Sequence, residues 1–209
     1  MRKRIFRLLS ALTVCALVSF FFWSWIFTFL TDTDRAHKVT IFADSDSFDG
    51  KALAIALEED LPDGIRIIQA KPFSYALMDS ASLETADLYL IPERDMAEYR
   101  KWLRPLPERF QSMAAGETDE ETGADTGMVP MSAGLWEEEG TPYGLRLPDE
   151  KKGASSGILP EWEASDEAWY LCFGAGGFHL PSPETGEEGA ALKTALRVLE
   201  LITQAPDDK

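Results

Sequence analysis

Residues Leu8–Leu30 form a run of 23 residues that contains no charged side chain. A helix needs about 20 apolar residues to cross the hydrocarbon core of a bilayer. Basic residues precede the run and acidic residues follow it, and the positive-inside rule places such a basic flank in the cytoplasm. The sequence therefore predicts one transmembrane helix at residues 8–30, a cytoplasmic N-terminus at residues 1–7, and a C-terminal domain outside the cell membrane.

A cleaved signal peptide is the alternative interpretation of this run. Such a peptide has a shorter apolar core of about 7–15 residues and a cleavage site made of small residues. Thr28-Phe29-Leu30 is not a site of that kind, and Val14 stands where a lipoprotein signal has a small residue before its cysteine. The sequence therefore favours an uncleaved signal-anchor.

The rest of the chain is strongly acidic. Four of the 20 Lys and Arg residues precede the apolar run, so 16 basic residues remain against 36 acidic ones, a net charge of −20. A nucleic-acid-binding surface needs basic side chains that replace the counterions of phosphates, so nucleic acid is excluded as a partner. Cys15 and Cys172 lie far apart in the sequence and predict neither an intrachain disulfide nor a zinc site built on cysteines.

After a linker at residues 31–38, the pattern of residues 39–205 predicts an α/β domain. Short apolar runs typical of strands alternate with segments whose apolar residues recur at helical spacing. This order indicates a mostly parallel sheet flanked by helices, because parallel strands need crossover connections. In the first half, the predicted strands are Lys38–Ala43, Ile65–Ile68 and Asp87–Ile91, and the predicted helices are Lys51–Asp60, a short helix that Pro72 opens, and a helix that Asp95 caps and that runs to Leu103.

The second half of the domain is less regular. Residues 116–127 are acidic and lack apolar anchors, which predicts a mobile loop. Tyr143–Leu147 and Ala168–Phe173 are strand candidates, and the latter is continuously apolar and therefore expected to be central in the sheet. A capping box at Thr185 and Glu188 precedes a final helix, whose apolar stripe consists of Leu192, Ala195, Leu199 and Ile202.

No catalytic or metal-binding motif is complete. The nucleophile elbow of hydrolases is matched in sequence by Gly153-Ala154-Ser155-Ser156-Gly157. That elbow must join a buried strand to a helix. Here the preceding residues are charged and a proline follows soon after, so neither flank fits. A calcium-binding loop that begins at Asp44 would lack the required glycine and the bidentate glutamate. The glycines from Gly174 onward do not complete a dinucleotide motif. The sequence therefore predicts a protein that is not an enzyme and has no metal or cofactor.

Trp136 and Trp162 leave two interpretations open. A tryptophan offers a flat apolar face and one hydrogen-bond donor, which suit sugar stacking or a protein interface. Core packing is the other interpretation, and it is stronger still for Trp169, which lies within an apolar strand. Trp136 and Trp162 are retained as candidate ligand-binding residues.

Several segments resemble the first lobe of the extracytoplasmic solute-binding proteins of ABC importers, which have a periplasmic-binding-protein-like fold. The resemblance lies in Val39–Ala43, the loop and helix from Gly50, the strand Ile65–Ile68 and the phrase Ala86-Asp87-Leu88-Tyr89-Leu90-Ile91-Pro92, while Pro142–Arg146, Ala168–Phe173 and the final helix resemble the return of such a chain to its first lobe. Members of that family have two lobes and a longer soluble part. The resemblance therefore implies a relative that is reduced to about one lobe.

In that family, ligands bind between the lobes at the carboxyl ends of strands, where open α/β sheets in general bind ligands. The matching positions are Asp44, Ser45 and Asp46 after the first strand, and Glu93 and Arg94 after the third. The resemblance implies a membrane-anchored solute-binding-like module, accessory to transport or sensing, with a transporter permease or a sensor protein as partner and a small solute such as a sugar as ligand. The alternative is a non-catalytic structural or protein-interaction domain that has lost solute binding.

Overall fold

The computed structural model describes residues 12–23, 34–74, 83–115, 134–148, 157–179 and 189–203. The chain divides into two compact units, Met1–Asp34 and Arg35–Lys209. Five predictions lie outside the described residues: the cytoplasmic segment 1–7, the short helix after Pro72 beyond residue 74, the acidic loop 116–127, the loop around Ser155, and the capping box of Thr185 and Glu188.

In the first unit, residues 12–23 form a helix, α1. Its large apolar side chains are exposed, with 70% of the surface of Phe20 and 68% of that of Trp23 accessible. The remaining parts of the predicted transmembrane segment, residues 8–11 and 24–30, lie outside the described residues. Among the residues that are described, no helix has both the length and the apolar character needed to cross a membrane.

The second unit contains six described strands and five described α-helices. The strands are β1 Lys38–Ala43, β2 Ile67–Pro72, β3 Leu88–Pro92, β4 Leu135–Glu138, β5 Thr141–Arg146 and β6 Trp169–Phe173. The helices are α2 Gly50–Glu58, α3 Met96–Tyr99, α4 Glu108–Ala115, α5 Pro160–Ala164 and α6 Ala190–Thr203. Short 3₁₀ helices cover Arg35–His37, Glu93–Asp95 and Arg100–Trp102.

The described strands form one sheet in the order β2-β1-β3-β6-β5-β4. β1 pairs in parallel with β2 and β3, whereas the β3–β6, β5–β6 and β4–β5 pairs are antiparallel. The α/β class is confirmed, but the prediction of a mostly parallel sheet is wrong, because the sheet is mixed. Its second half arises from a hairpin and from β6, which inserts beside β3 in the opposite direction.

Helices and short segments cover the two faces of the sheet differently. On one face, α2, α4, α5 and α6 pack against the strands through side chains such as Leu53 and Trp162. On the other face, the main helical contribution is Met96 of α3, which packs among aromatic side chains. The helix directly after β1 therefore lies on one face and the helix directly after β3 on the opposite face, before the chain returns to the first face at Leu106 and α4.

The first-half elements differ from the prediction mainly at their ends. The first strand is confirmed residue for residue at Lys38–Ala43. The second begins at Ile67, two residues later than expected, and Pro72 ends it instead of opening a helix. The helix expected from Asp95 to Leu103 is divided into α3 and two 3₁₀ turns, and the Asp95 side chain makes no capping hydrogen bond.

The strand candidate Tyr143–Leu147 is confirmed as β5, which begins two residues earlier and ends one residue earlier than expected, whereas β4, α4 and α5 were not predicted. Glu139 and Gly140 connect β4 and β5 with φ angles of +52° and +76°, which is the geometry of a two-residue hairpin turn. In the sequence, Gly140 after the polar run Glu137–Glu139 could have indicated this turn. The strand Ala168–Phe173 is confirmed as β6, and its position between β3 and β5 makes it a central strand whose five residues are all buried.

Candidate functional site

The carboxyl ends of β1 and β3 form the point at which the strand order reverses. From β1 the chain passes through α2 to β2 on one side of β1, and then to β3 on its other side. The loops after β1 and β3 run to opposite faces of the sheet, since α2 and α3 belong to different core clusters. Open α/β sheets bind ligands in the crevice that such diverging loops create.

The loop after β1 is held close to this crevice. The backbone N–H of Asp44 donates to the carbonyl of Leu90 on β3 at 2.9 Å. Ser45 is buried, and its hydroxyl lies 3.1 Å from that of Ser47. Asp49 ends the loop by accepting a hydrogen bond from the N–H of Ala52 at 2.9 Å, which caps α2.

A charged cluster follows β3. The Arg94 guanidinium donates to Asp95 at 3.0 Å and to Glu167 at 2.7 Å. The Arg94 side chain is 60% exposed, so these ion pairs add little to stability. They do orient the Asp95 carboxylate toward the end of β1, where Asp44 lies.

Asp44 and Asp95 form a carboxyl pair across the ends of the two strands. The pKa of Asp44 is raised from 3.8 to about 7, mainly by burial and then by the charge of Asp95 and its hydrogen bond with Asp44. Arg94 offsets part of this effect, whereas Glu161 adds to it. Two carboxyl groups that share a partly buried site resist joint ionisation, and perturbed groups of this kind cluster at functional sites.

Replacing Asp44 with asparagine should stabilise the domain at about pH 8 by about 1–2 kcal/mol. The pKa of Asp44 in the folded protein lies above its ordinary value of 3.8, so its favourable contribution is complete below that value and is lost as the pH rises through about 7. Denaturant unfolding at about pH 8 and about pH 4 tests this, with the exposed neighbour Asp46→Asn as control. An Asp44→Asn variant that is less stable than the wild type at the higher pH would contradict the assignment.

Aromatic rings stand beside the carboxyl pair. Tyr99 follows Asp95 by four residues in a helical segment, so the two side chains share one side of it. The pKa of Tyr99 is raised to about 12, mainly by burial and then by the negative charge of Asp44. The Tyr99 ring lies 4.7 Å from that of Phe73, which directly follows β2, and 5.4 Å from that of Trp102. All three parallel strands therefore contribute to this edge of the sheet.

The structure brings together only part of the predicted site. Asp44, Ser45 and Arg94 lie at the crevice, whereas Asp46 and Glu93 at the same edge are exposed. The N–H of Glu93 donates to the carbonyl of Ala168 at 2.9 Å. The remaining candidates, the two tryptophans, lie elsewhere.

Trp162 and Trp136 have different environments from each other. Trp162 is only 3% exposed and packs in the core beneath α5, so the interpretation of an exposed stacking face is wrong for this residue. Trp162 is buried because α5, the short helix that carries it, packs one of its sides against the sheet. Trp136 on β4 is partly buried on the other face, with its ring 6.3 Å from that of Tyr143.

Four residues of the site were not found from the sequence: Asp95, Tyr99, Glu161 and Glu167. Asp95 was interpreted as a helix cap, and Tyr99 only as a residue of the helix expected to run to Leu103. Glu161 and Glu167 come from a different part of the chain, and only the antiparallel insertion of β6 brings them to this edge. The spacing of four residues between Asp95 and Tyr99 was the one local signal.

None of the groups of His, Cys, Asp and Glu within the described residues is arranged to hold a metal ion. No protein-family model matches the chain, and comparisons with curated proteins and with solved structures give no match either. The resemblance to extracytoplasmic solute-binding proteins thus stays a prediction.

Proposed function

We propose that this chain is a membrane-anchored extracytoplasmic module that binds a small solute carrying an ammonium group and acts as an accessory to transport or sensing. The observation that carries the proposal is the Asp44–Asp95 carboxyl pair at the reversal point of the strand order. Its partners would be a transporter permease or a sensor protein in the same membrane.

The charge of the crevice favours a cation. Asp44, Asp95, Glu161 and Glu167 face a single guanidinium, that of Arg94. An ammonium group that bound between Asp44 and Asp95 would offset both the burial of the Asp44 carboxylate and its repulsion by Asp95, which together raise the pKa of Asp44. A neutral sugar would gain hydrogen bonds there but would leave that repulsion in place.

The neighbouring rings favour an organic cation over a bare metal ion. The faces of tyrosine and tryptophan attract ammonium groups, and sites that recognise alkylated ammonium are lined with such rings. The chain itself supplies an example at this edge, since the Lys101 ammonium lies 4.6 Å from the centre of the Trp102 ring. Tyr99 stands between Trp102 and the carboxyl pair and would contact the apolar part of the solute.

The exposed apolar surface of α1 supports the membrane anchor. Large apolar side chains on this helix, among them Leu12, Leu17 and Phe21, are more than half exposed. An exposed apolar surface of this kind is typical of contact with lipid or with another protein. Residues 12–23 lie within the 23-residue uncharged run, whose length suits a bilayer.

Calorimetric titration of the full chain in detergent micelles at about pH 8 tests solute binding, with tetramethylammonium, putrescine and glucose as probes. We expect the two ammonium probes to bind more tightly than glucose. Asp44→Asn should weaken ammonium binding about ten-fold, which is the effect of losing one charge-assisted contact. Lowering the pH to about 5 should weaken it in the wild type for the same reason, because Asp44 then takes up a proton.

Asp46→Asn is the matched control, since Asp46 lies in the same loop but is exposed, and it should leave the affinity unchanged. Tighter binding of glucose than of either ammonium probe would contradict the ammonium preference. Heat from none of the three probes would favour the alternative, a protein-interaction domain. Of the two tryptophans that suit a protein interface, Trp136 is partly exposed, whereas Trp162 is buried.

A further inference from the structure

His179 lies at the end of the sheet opposite the candidate site. It follows β6, whose carboxyl end meets the beginning of β3 because the two strands are antiparallel. The backbone N–H of His179 donates to the Asp87 carboxylate at 3.1 Å. Its carbonyl accepts from the N–H of Ala191 in the first turn of α6 at 3.1 Å. One residue thus joins β3, the turn after β6 and α6.

The imidazole of His179 extends this junction to the N-terminal segment of the domain, residues 35–38. Its Nε2 lies 2.8 Å from the carbonyl oxygen of Arg35 and 3.2 Å from that of Lys38. Carbonyl oxygens can only accept, so Nε2 carries the hydrogen. This geometry suits both the neutral Nε2–H form and the imidazolium, but the charged form donates the stronger hydrogen bonds.

A buried carboxylate accompanies the imidazole. Asp87 is 2% exposed, and burial raises its pKa, although the N–H groups of Thr40 and His179 and the His179 side chain oppose this effect. Charged or titratable groups on the neighbouring elements include Arg35, His37 and Lys38 in the N-terminal segment, Glu84 before β3, Tyr89 on β3, Tyr170 and Cys172 on β6, and Lys193, Arg197 and Glu200 on α6. The Nδ1 of His37 lies 2.8 Å from the Gly64 carbonyl, so the second histidine serves a different contact.

We propose that His179 acts as a pH-dependent clasp. By this we mean that protonation of its imidazole strengthens the hydrogen bonds that hold residues 35–38 against the end of the sheet. The proton creates a charge-assisted donor to the two carbonyls and a cation beside the Asp87 carboxylate. Histidine is the side chain whose charge ordinarily changes between about pH 5 and pH 8. The clasp fixes the point at which the chain enters the domain, and mildly acidic surroundings make that point more rigid.

Hydrogen exchange of the full chain in detergent micelles at about pH 5.5 and about pH 8 tests the clasp. After correction for the intrinsic pH dependence of exchange, the amides of residues 35–40 should be about five-fold more protected at the lower pH. His179→Gln keeps a donor but cannot be protonated, so protection there should no longer change with pH. His37→Gln is the matched control and should retain the wild-type dependence.

Equal protection of residues 35–40 at both pH values in the wild type would overturn the proposal. It would also be overturned by a His179→Gln variant that keeps the pH dependence, since Asp87 or another group would then be responsible. A comparison made on the wild type alone keeps the proposal testable if the His179→Gln variant does not fold. In the wild type, the midpoint of the change in protection should coincide with the NMR titration midpoint of the His179 ring, and clearly different midpoints contradict the proposal.

Discussion

Replacing Gly50 with alanine should destabilise the domain by about 3 kcal/mol. Gly50 is the first residue of α2, and a Cβ atom there would lie 2.1 Å from the carbonyl oxygen of Ala70 and 2.6 Å from its carbonyl carbon. Both are backbone atoms of β2, so no rotation of a side chain relieves the contact. α2 or β2 would have to shift, together with the loop that carries Asp44.

Helix propensity alone would predict the opposite change in stability for Gly50→Ala. Alanine is favoured over glycine in a helix by up to about 1 kcal/mol, so an increase in stability would show that the close approach to β2 does not limit this position. Gly134→Ala is the control, because its Cβ would meet only the flexible Arg146 side chain at 3.4 Å. Denaturant unfolding of both variants and the wild type gives the comparison.

Replacing Asp87 with alanine should destabilise the domain by about 3–5 kcal/mol. The Asp87 carboxylate accepts hydrogen bonds from the N–H of Thr40 at 2.9 Å and from that of His179 at 3.1 Å. Both donors would be left without this acceptor, the Thr40 N–H in a buried position and the His179 N–H in a partly buried one. A buried N–H that loses its acceptor costs about 1–3 kcal/mol, and the cavity adds to this.

Asp63→Ala is the matched control, because Asp63 is exposed in the turn after α2, and it should change stability by less than about 0.5 kcal/mol. Equilibrium unfolding gives the size of the effect, and hydrogen exchange gives its location. The amides of Thr40 and His179 should lose more protection in Asp87→Ala than those of the central strand β6. A loss of stability under about 1 kcal/mol would mean that other acceptors replace the carboxylate, and would contradict the role assigned to it.

Two carboxylates at opposite ends of the sheet affect the stability of the domain in opposite ways. The Asp44–Asp95 pair is unfavourable for folding at neutral pH, as the raised pKa of Asp44 indicates. The hydrogen bonds of Asp87 at the opposite end of the sheet are favourable for folding. Functional sites often reduce the stability of the domain that carries them. Asp44→Asn and Asp87→Ala are therefore expected to change stability in opposite directions at about pH 8.

The sequence by itself determined the elements whose signal is local. The bounds of β1 follow from a short apolar run followed by residues that favour turns, and β6 was recognisable as a buried strand because its apolar run is continuous. The final helix follows from an apolar stripe at helical spacing, and Leu192, Ala195 and Leu199 do lie in the core. Asp44, Ser45 and Arg94 could be named as candidates because they follow strands that the pattern had indicated, and their role in binding stays a prediction.

Only the tertiary structure decided how these elements meet. The direction of β6 and its place beside β3 depend on pairing between segments about 80 residues apart, as in the pair Leu90 and Leu171, and such pairing leaves no periodic trace in the chain. That insertion brings Glu167 to Arg94 and thereby completes the charged cluster. The close approach of Gly50 to Ala70 and the burial of Trp162 likewise depend on the packing of helices on the sheet. Local patterns report which side of an element is apolar, whereas the partner of that side is set by contacts between parts of the chain that are distant in sequence.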